Sequence, residues 1–299
     1  MKTCIIDCLP HLGGQLSALY PEKDIFDVAG FPKIAAKDLV AMLTEQMMQH
    51  NPSVFLGEKV MKLEAFEDHV RVESHNGNVH LSKTAIIAAG RGAFTPRKLE
   101  LQNIEELEGK GVHYFVGDKS IFAGKKLLIV GGGDSAFDWA LNLHSVADGI
   151  TMIHRSDNFR AHEHTVASVM ELGVEMKTFH ELKAIHGEER VEGATIYNNK
   201  TMDEMDVKCD DILLTLGFMA NLGPIKDWGL ELQGNYIRVN SRMETNIPRV
   251  FAAGDGIMYD GKLPLIATGF GDAATAVNHA YVLLNPGKKV FVHSSEASK

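Results

Sequence analysis

A glycine-rich turn lies between a short apolar strand and an apolar helical pattern, and it limits what this chain can fold into. The predicted strand covers residues 125–130, and Gly131-Gly132-Gly133-Asp134-Ser135-Ala136 follows it directly. In a G-x-G-x-x-G/A turn, glycines permit a tight bend and a close backbone approach, while the helix N-terminus offers N–H groups to a diphosphate. We therefore predict that a nucleotide is bound by Gly131, Gly133, Asp134 and Ser135.

The residue that ends the next strand indicates which nucleotide is bound. Sites for NAD usually carry an acid about 20 residues after the turn, where it holds the ribose 2′-hydroxyl. Here the predicted strand 150–153 ends in His154-Arg155, and Arg160 follows. Because cations suit a 2′-phosphate, we predict that NADP(H) is bound with His154, Arg155 and Arg160 in its site. The alternative for Arg155 is an ordinary solvated strand end.

Composition narrows the class of protein. A length of 299 residues favours two domains, and 45% hydrophobic residues can fill two cores. No uninterrupted apolar run reaches about 18 residues and no signal peptide is recognisable, so we expect a cytoplasmic protein without a membrane partner. Three cysteines, with no zinc-type spacing to the histidines, predict neither disulfides nor a metal site. A formal net charge of −9 argues against nucleic acid as a partner.

One order of elements occurs twice along the chain. A helix over 37–48, short strands up to 81 with a hairpin turn at Asn76-Gly77, and a buried strand over 84–90 form the first copy. A second copy begins at residue 125 and closes with a strand over 211–217. We predict an α/β fold of two Rossmann-like, three-layer domains, each a parallel sheet with a small antiparallel β-meander. The domains are predicted at 1–100 with 235–299 and at 108–220, with linkers at 97–110 and 220–234.

The first copy shows no glycine turn ahead of its first strand. Asp7 ends the first predicted strand, at the place equivalent to Arg155, yet only six residues precede it. The glycine turn belongs about 20 residues earlier. A strand, turn and helix of roughly 30 residues are therefore expected to be missing. We predict a first domain truncated at its N-terminus, through a late start codon or because the chain is a fragment.

Motifs along the whole chain together resemble one family. They include Leu12-Gly13-Gly14-Gln15, Phe159-Arg160-Ala161-His162, Ala252-Ala253-Gly254-Asp255 and Ile266-Ala267-Thr268-Gly269. With these the chain closely resembles the ferredoxin–NADP reductases of the thioredoxin-reductase-like type. The resemblance implies FAD and NADPH in two domains, a homodimer, and ferredoxin or flavodoxin as electron acceptor.

The same resemblance assigns residues to an FAD site, each through its own motif. Asp7, where the family more often has Glu, would bind the FAD ribose, and Asp255 would bind the ribityl chain. Val60 would contact the adenine side. The flavin region would be contacted by Gln15, Tyr20 and Phe94, and the second flavin face would be covered by His293 and Ser295. A helix starting after Gly271 would direct its N-terminus at the flavin. Ser156 stands where the family commonly has a second arginine, which removes one possible phosphate contact.

The activity implied is electron transfer from NADPH through FAD to a one-electron acceptor, which requires no catalytic side chain. A thioredoxin reductase is disfavoured, because it needs a Cys-x-x-Cys pair beside the flavin and residues 115–118 contain no cysteine. A non-catalytic NADP-binding remnant is the second hypothesis, since a truncated first domain would lose the turn that holds the FAD diphosphate. We expect weak or absent FAD retention by the chain as written.

Overall fold

A computed structural model describes residues 1–288, with the backbone alone at 93–95 and 218–220. The helices are α1 Gly14–Leu19, α2 Ala36–Met48, α3 Asp134–Leu143, α4 Glu163–Glu171 and α5 Ile266–Leu284, with 3-10 turns at Lys119–Phe122 and Gly223–Asp227. The strands are β1 Cys4–Ile6, β2 Asp24–Ile25, β3 Ile34–Ala35, β4 Ser53–Phe55, β5 Val60–Ala65, β6 Val70–Ser74, β7 Val79–Ser82, β8 Ala85–Ile87, β9 Ala93–Pro96, β10 Val112–His113, β11 Lys126–Val130, β12 Gly149–His154, β13 Glu175–Thr178, β14 His180–His186, β15 Gly193–Asn198, β16 Glu204–Val207, β17 Asp211–Leu214, β18 Phe218–Asn221, β19 Leu232–Gln233, β20 Tyr236–Arg238, β21 Val250–Ala252 and β22 Ile257–Met258.

The second unit, β10 to β17 with α3 and α4, is built on a five-stranded parallel sheet. Its strand order is β10-β17-β11-β12-β13, so β11 occupies the centre. Side chains of β11 alternate between two cores: Leu127 and Ile129 pack with α3 and α4, and Leu128 and Val130 pack with the antiparallel strands β14–β16. This alternation is expected for a strand covered on both faces. The result is three layers of helices, sheet and meander, as predicted.

The first unit contains β1 to β8 and β19 to β22, with α1, α2 and α5. It repeats the antiparallel meander in β5–β7, and α5 packs its buried alanines against β21 in one core. The predicted α/β fold with parallel sheets and antiparallel meanders is therefore confirmed. Its parallel strands, however, form two separate pairs, β1 with β4 and β8 with β21.

The two units differ at the centre of the sheet. In the second unit β11 joins β12 to β17, whereas no described strand joins β1 to β8, their counterparts in the first. Exposure follows this difference: Leu128 and Ile129 of β11 are fully buried, while Cys4 of β1 is exposed and Ile86 of β8 is 37% exposed. A sheet without its central strand has this arrangement. The truncation of the first domain itself stays a prediction.

The units are joined by two chain crossings that pair as antiparallel strands, β9 and β18. Beside this pair the two crossings approach so closely that only glycine fits at residue 92: a Cβ there would lie 2.2 Å from the carbonyl oxygen of Asn221. Both predicted linkers contribute to cores, which corrects the sequence interpretation. Ile104 and Leu107 are buried in the second unit, and the segment after Asn221 packs into the first unit ahead of the predicted boundary at residue 235.

Two other local predictions need correction. The strands over 84–90 and 211–217 end early, at Ile87 and Leu214, because the chain turns out of the sheet before the positive-φ glycines that follow. Helix α5 begins at Ile266 rather than after Gly271. Gly269 lies inside this helix and faces another backbone: a Cβ on it would be in ordinary van der Waals contact, 3.4 Å from the Cα of Gly254.

Among residues 1–288, no helix has the length and apolarity needed to cross a membrane. The same residues contain no group of three or more His, Cys, Asp or Glu side chains able to hold a metal ion.

Candidate functional site

The glycine turn follows β11, and each of its glycines has a different environment. A Cβ on Gly131 would lie 2.2 Å from Oγ1 of Thr215, and one on Gly132 would lie 2.5 Å from the ring of His154. No atom lies within 4 Å of the position that a Cβ on Gly133 would take. The first two glycines are therefore required by the protein's own packing, whereas the space at Gly133 is open.

The open position is the N-cap of α3. Gly133 has an extended backbone, and its carbonyl oxygen accepts the first helical bond, from the N–H of Ala136. Asp134 accepts the N–H of His162 at 3.2 Å, which connects the starts of α3 and α4. A helix N-terminus with free space before it suits a phosphate group. The open space at Gly133 thus lies directly before Asp134 and Ser135, the first residues of α3, and Gly131 precedes it in the turn.

The predicted cations flank the turn. The N–H of Arg160 donates to the carbonyl of Gly132 at 2.8 Å, and the carbonyl of Arg155 accepts from the amide of Asn199 at 2.9 Å. Both arginines are exposed. Burial lowers the pKa of His154, and the charges of Arg155 and Arg160 lower it further, so the imidazole between them is neutral at pH 7. The structure therefore brings the predicted NADP residues together around one turn.

Part of the predicted FAD set surrounds the end of β8. A Cβ on Gly90 would meet the side-chain amide of Gln15 at 2.9 Å, and a Cβ on Gly256 would lie 1.9 Å from the Gly90 carbonyl oxygen. Gln15 and the Gly254-Asp255-Gly256 turn therefore meet at Gly90. Burial raises the pKa of Asp255, and the charges of Arg91 and Lys262 oppose that shift.

The other predicted FAD residues lie in different places. Asp7 follows β1, and its carboxylate accepts the N–H of Leu9 at 2.9 Å; its carbonyl accepts the N–H of Glu58, two residues before Val60. Tyr20 is half-buried, and burial raises its pKa. Asp7 and Val60 therefore belong to a second group beside β4. The side chain of Phe94 is not described, and His293 and Ser295 lie outside the described residues.

Tyr20 lies where the units meet. The Nζ atom of Lys23 is 5.9 Å from the centre of the Tyr20 ring and 2.9 Å from Oδ2 of Asp138 on α3. The residue assigned to the flavin face is thus linked, through one lysine, to the helix that begins at the glycine turn.

The sequence analysis does not single out two charged groups near Asp255. Lys262 and Asp272 form an ion pair with both side chains almost fully buried, and Asp272 also accepts the Tyr259 hydroxyl at 2.9 Å and the Gly254 N–H at 3.3 Å. Arg91 follows Gly90, and its Nε is buried without an acceptor among the described residues. A cation directly after a buried strand is the signal that could have identified Arg91.

The open N-cap and the unpaired arginine donor indicate whether each unit can hold a dinucleotide. The open N-cap at Gly133 has room for a phosphate, and the orphaned Arg91 Nε lies beside the close-packed Gly90 and Gly256. Buried donors without acceptors are rare in native proteins, so this donor calls for a partner beyond the described residues. The residues present therefore fit a dinucleotide in each unit.

Comparison with known proteins agrees with this geometry. The family model of the pyridine nucleotide-disulphide oxidoreductases matches residues 10–280. The chain belongs to this family. Within it, the chain is 49% identical to ferredoxin–NADP reductase 2 of Shouchella clausii over 292 residues, which cover 97% of this chain and 88% of that protein. The enzyme of the same name from Oceanobacillus iheyensis is also 49% identical, over 96% of this chain and 88% of its own.

Two solved structures share the fold. Thioredoxin reductase of T. acidophilum has a TM-score of 0.81 at 22% identity, covering 95% of this chain and 90% of that one. Thioredoxin reductase of Lactococcus lactis has a TM-score of 0.78 at 24% identity, covering 94% and 97%. The resemblance stated from the sequence is confirmed, and the family together with its ferredoxin–NADP reductase relatives implies FAD and NADP(H) as cofactors.

Proposed function

We propose that this protein is a ferredoxin–NADP reductase, which passes electrons from NADPH through FAD to ferredoxin or flavodoxin. The observation that carries the proposal is the turn at Gly131–Gly133, open at the N-cap of α3 and flanked by Arg155 and Arg160. The relatives that are 49% identical bear the name of this activity. No Cys-x-x-Cys pair occupies residues 115–118, which argues against disulfide reduction.

Each residue has a task in binding rather than in covalent chemistry. FAD, when bound, supplies the conversion between two-electron and one-electron transfer. Arg155 and Arg160 hold the 2′-phosphate, and the α3 N-terminus holds the NADPH diphosphate. Asp7 holds the FAD ribose, and Asp255 the ribityl chain. Tyr20 covers one flavin face, with Gln15 at the flavin edge.

The proposal extends to organisation. The first unit, before the β9 crossing and after the β18 crossing, forms the FAD domain, and the second unit, between the two crossings, forms the NADPH domain. The protein acts as a cytoplasmic homodimer, in which the tail with His293 and Ser295 covers the second flavin face. Size-exclusion chromatography with light scattering tests the dimer.

The activity is tested by steady-state NADPH oxidation with purified ferredoxin at several ionic strengths. We expect turnover that falls as salt rises, because an electrostatic docking surface is screened by ions. Turnover that is absent with both ferredoxin and flavodoxin, in protein that holds FAD, would overturn the proposed acceptor.

A second candidate function is an NADP-binding protein without catalysis. The observation in its favour is the sheet of the first unit, divided into β1–β4 and β8–β21 without a described strand between them. The visible spectrum of the purified chain discriminates the two functions. Near-stoichiometric bound FAD would contradict the remnant. Colourless protein that becomes yellow and active once a strand, glycine turn and helix are added before Met1 would support the reductase in a longer form.

A further inference from the structure

Arg91 is a partly buried cation whose Nε has no acceptor among the described residues. It follows Gly90 at the end of β8, and its Cζ lies 5.1 Å from the centre of the Tyr236 ring. Tyr236 occupies one face of the guanidinium, but Nε is buried and has no acceptor among the described residues. A buried donor left unpaired costs about 1–3 kcal/mol. Such a group in a native protein calls for a partner.

The place of Arg91 in the fold indicates what that partner is. In the second unit, the residue after β17 is Thr215, which contacts Gly131 of the dinucleotide turn. When Gly90 is aligned with Gly217, β8 corresponds to β17, and Arg91 takes the position of Phe218. On this alignment Ala88 is the counterpart of Thr215, so we infer that the end of β8 faces the diphosphate position of the first unit, with Arg91 three residues further along the chain.

Two cations act on Asp255, the acid assigned to the ribityl chain: Arg91 and Lys262. Lys262 is almost fully buried, and its ammonium is already paired with Asp272. Arg91 is thus the cation near Asp255 whose side chain retains an unused donor.

We propose that Arg91 binds FAD, with its guanidinium donating hydrogen bonds to the diphosphate. Arginine suits this task because its planar donors match phosphate oxygens and its charge persists at any physiological pH. The inference rests on the proposed assignment of FAD to the first unit. Arg91 would add a side-chain contact to the diphosphate, which glycine turns and helix N-termini ordinarily bind through backbone groups alone.

The test compares two flavins that differ in the diphosphate. Apoprotein is prepared from the chain as written and from a form extended by a strand, glycine turn and helix, and each is titrated with FAD and with riboflavin by flavin fluorescence. Arg91→Ala is expected to raise the Kd for FAD about 10- to 100-fold. The Kd for riboflavin should change less than about 3-fold. Arg91→Lys should recover part of the FAD affinity, because it keeps the charge without the planar donor set.

Arg238→Ala serves as the matched control. Arg238 lies in the first unit with its side chain 61% exposed, so its loss should leave both affinities unchanged. Thermal unfolding of the apoproteins separates binding from folding: the midpoint of Arg91→Ala should stay within about 4 °C of the parent, because little of its contribution is made without ligand.

The outcomes are distinguishable. An unchanged FAD affinity in Arg91→Ala would overturn the inference while leaving the proposed function intact. An equal loss for FAD and riboflavin would overturn it as well, since the contact would then be to the flavin ring. Failure of both parent proteins to bind FAD would overturn the proposed function and this inference together.

Discussion

The ring of His154 packs against Gly132, so that a Cβ at residue 132 would lie 2.5 Å from the imidazole. At the adjacent Gly133, an added Cβ would meet no atom within 4 Å. Two neighbours in one glycine turn therefore have different environments. Gly132 is needed by the packing of the folded protein, whereas the space at Gly133 leaves room for a ligand at the start of α3.

Alanine substitutions at these two glycines should affect stability and NADPH binding separately. Gly132→Ala should lower the free energy of unfolding by about 1–3 kcal/mol, because the ring of His154 must move away. Gly133→Ala should leave stability nearly unchanged, since its backbone at φ −101° and ψ 178° accepts alanine, but should raise the Kd for NADPH at least about 10-fold. Urea unfolding and NADPH titration measure the two effects.

Gly149→Ala, also in open space, is the control for both measurements. Equal loss of stability in the Gly132 and Gly133 variants would contradict this interpretation.

Cofactor choice should depend on Arg155. We expect Arg155→Ala to raise the KM for NADPH about 10- to 100-fold and the KM for NADH less than about 3-fold, because only NADPH carries the 2′-phosphate. Arg160→Ala should act in the same direction. Steady-state kinetics with both nucleotides checks this, with Arg190→Ala, distant in sequence from the turn, as control. Equal effects of Arg155→Ala on NADPH and NADH would show that this arginine does not contact the 2′-phosphate.

A buried acid at the opposite end of the second sheet should contribute to stability. Asp211 is 2% exposed, accepts a hydrogen bond from Nε2 of His113 at 2.7 Å and pairs with Nζ of Lys125 at 2.8 Å. Burial alone would raise the pKa of Asp211, but His113 and Lys125 outweigh it and hold the pKa below its usual value. Its contribution is therefore fully present above the unfolded pKa of about 3.9 and is lost as pH falls through the folded pKa.

Asp211→Asn should accordingly lower the free energy of unfolding by about 2 kcal/mol at pH 7. The difference from the parent should be constant down to about pH 5 and shrink below about pH 4. Urea unfolding at pH 7, 5 and 3.5 measures it. Asp206→Asn, at a side chain 81% exposed, should show no such difference. If the loss of stability caused by Asp211→Asn grew as pH fell, the pKa of Asp211 could not be lowered in the folded protein.

The three thiols should differ sharply in reactivity. Cys4 and Cys8 are exposed, whereas burial, followed by the charges of Asp210 and Asp211, raises the pKa of Cys209 to about 12. Because only about one in 10⁴ Cys209 side chains is ionised at pH 8, a disulfide reagent should modify two thiols in the folded protein and the third after unfolding. Modification of three thiols under native conditions would indicate that Cys209 is accessible.

The same reagent can test the assignment of Asp7. Cys8 is the neighbour of Asp7, and in a Cys4→Ser variant it is the exposed thiol that remains among the described residues. If the FAD ribose is bound by Asp7, saturating FAD should slow the modification of Cys8 at least about 3-fold. A rate indifferent to FAD in protein that binds it would place the ribose elsewhere.

Much of the second unit could be predicted from the sequence because its signals are local. Strand, turn and helix are contiguous from residue 126 to 143, and the cation at Arg155 ends the very next strand. The helix predicted over 37–48 is also confirmed, as α2 from Ala36 to Met48. Short-range periodicity and turn chemistry are sufficient for such elements.

The errors have a common origin in packing between distant segments. Residues 97–110 have a polar composition, yet Ile104 and Leu107 are buried against the second sheet. The glycines at 269 and 271 suggested a helix start, although both lie within α5, and Gly269 faces Gly254 of a distant segment. A local pattern cannot distinguish a glycine that breaks a helix from one that lets it pack.

The sequence by itself determined the two copies of one nucleotide-binding plan, the cation that favours NADP(H), and the family. Only the tertiary structure decided that no described strand joins β1 to β8, that Asp211 meets His113 across 98 positions of sequence, and that Nε of Arg91 lacks an acceptor among the residues whose side chains are described. The reason is physical: turns and periodic faces depend on neighbours in the chain. Burial, pairing and orphaned donors depend on which distant residues the folded chain brings together.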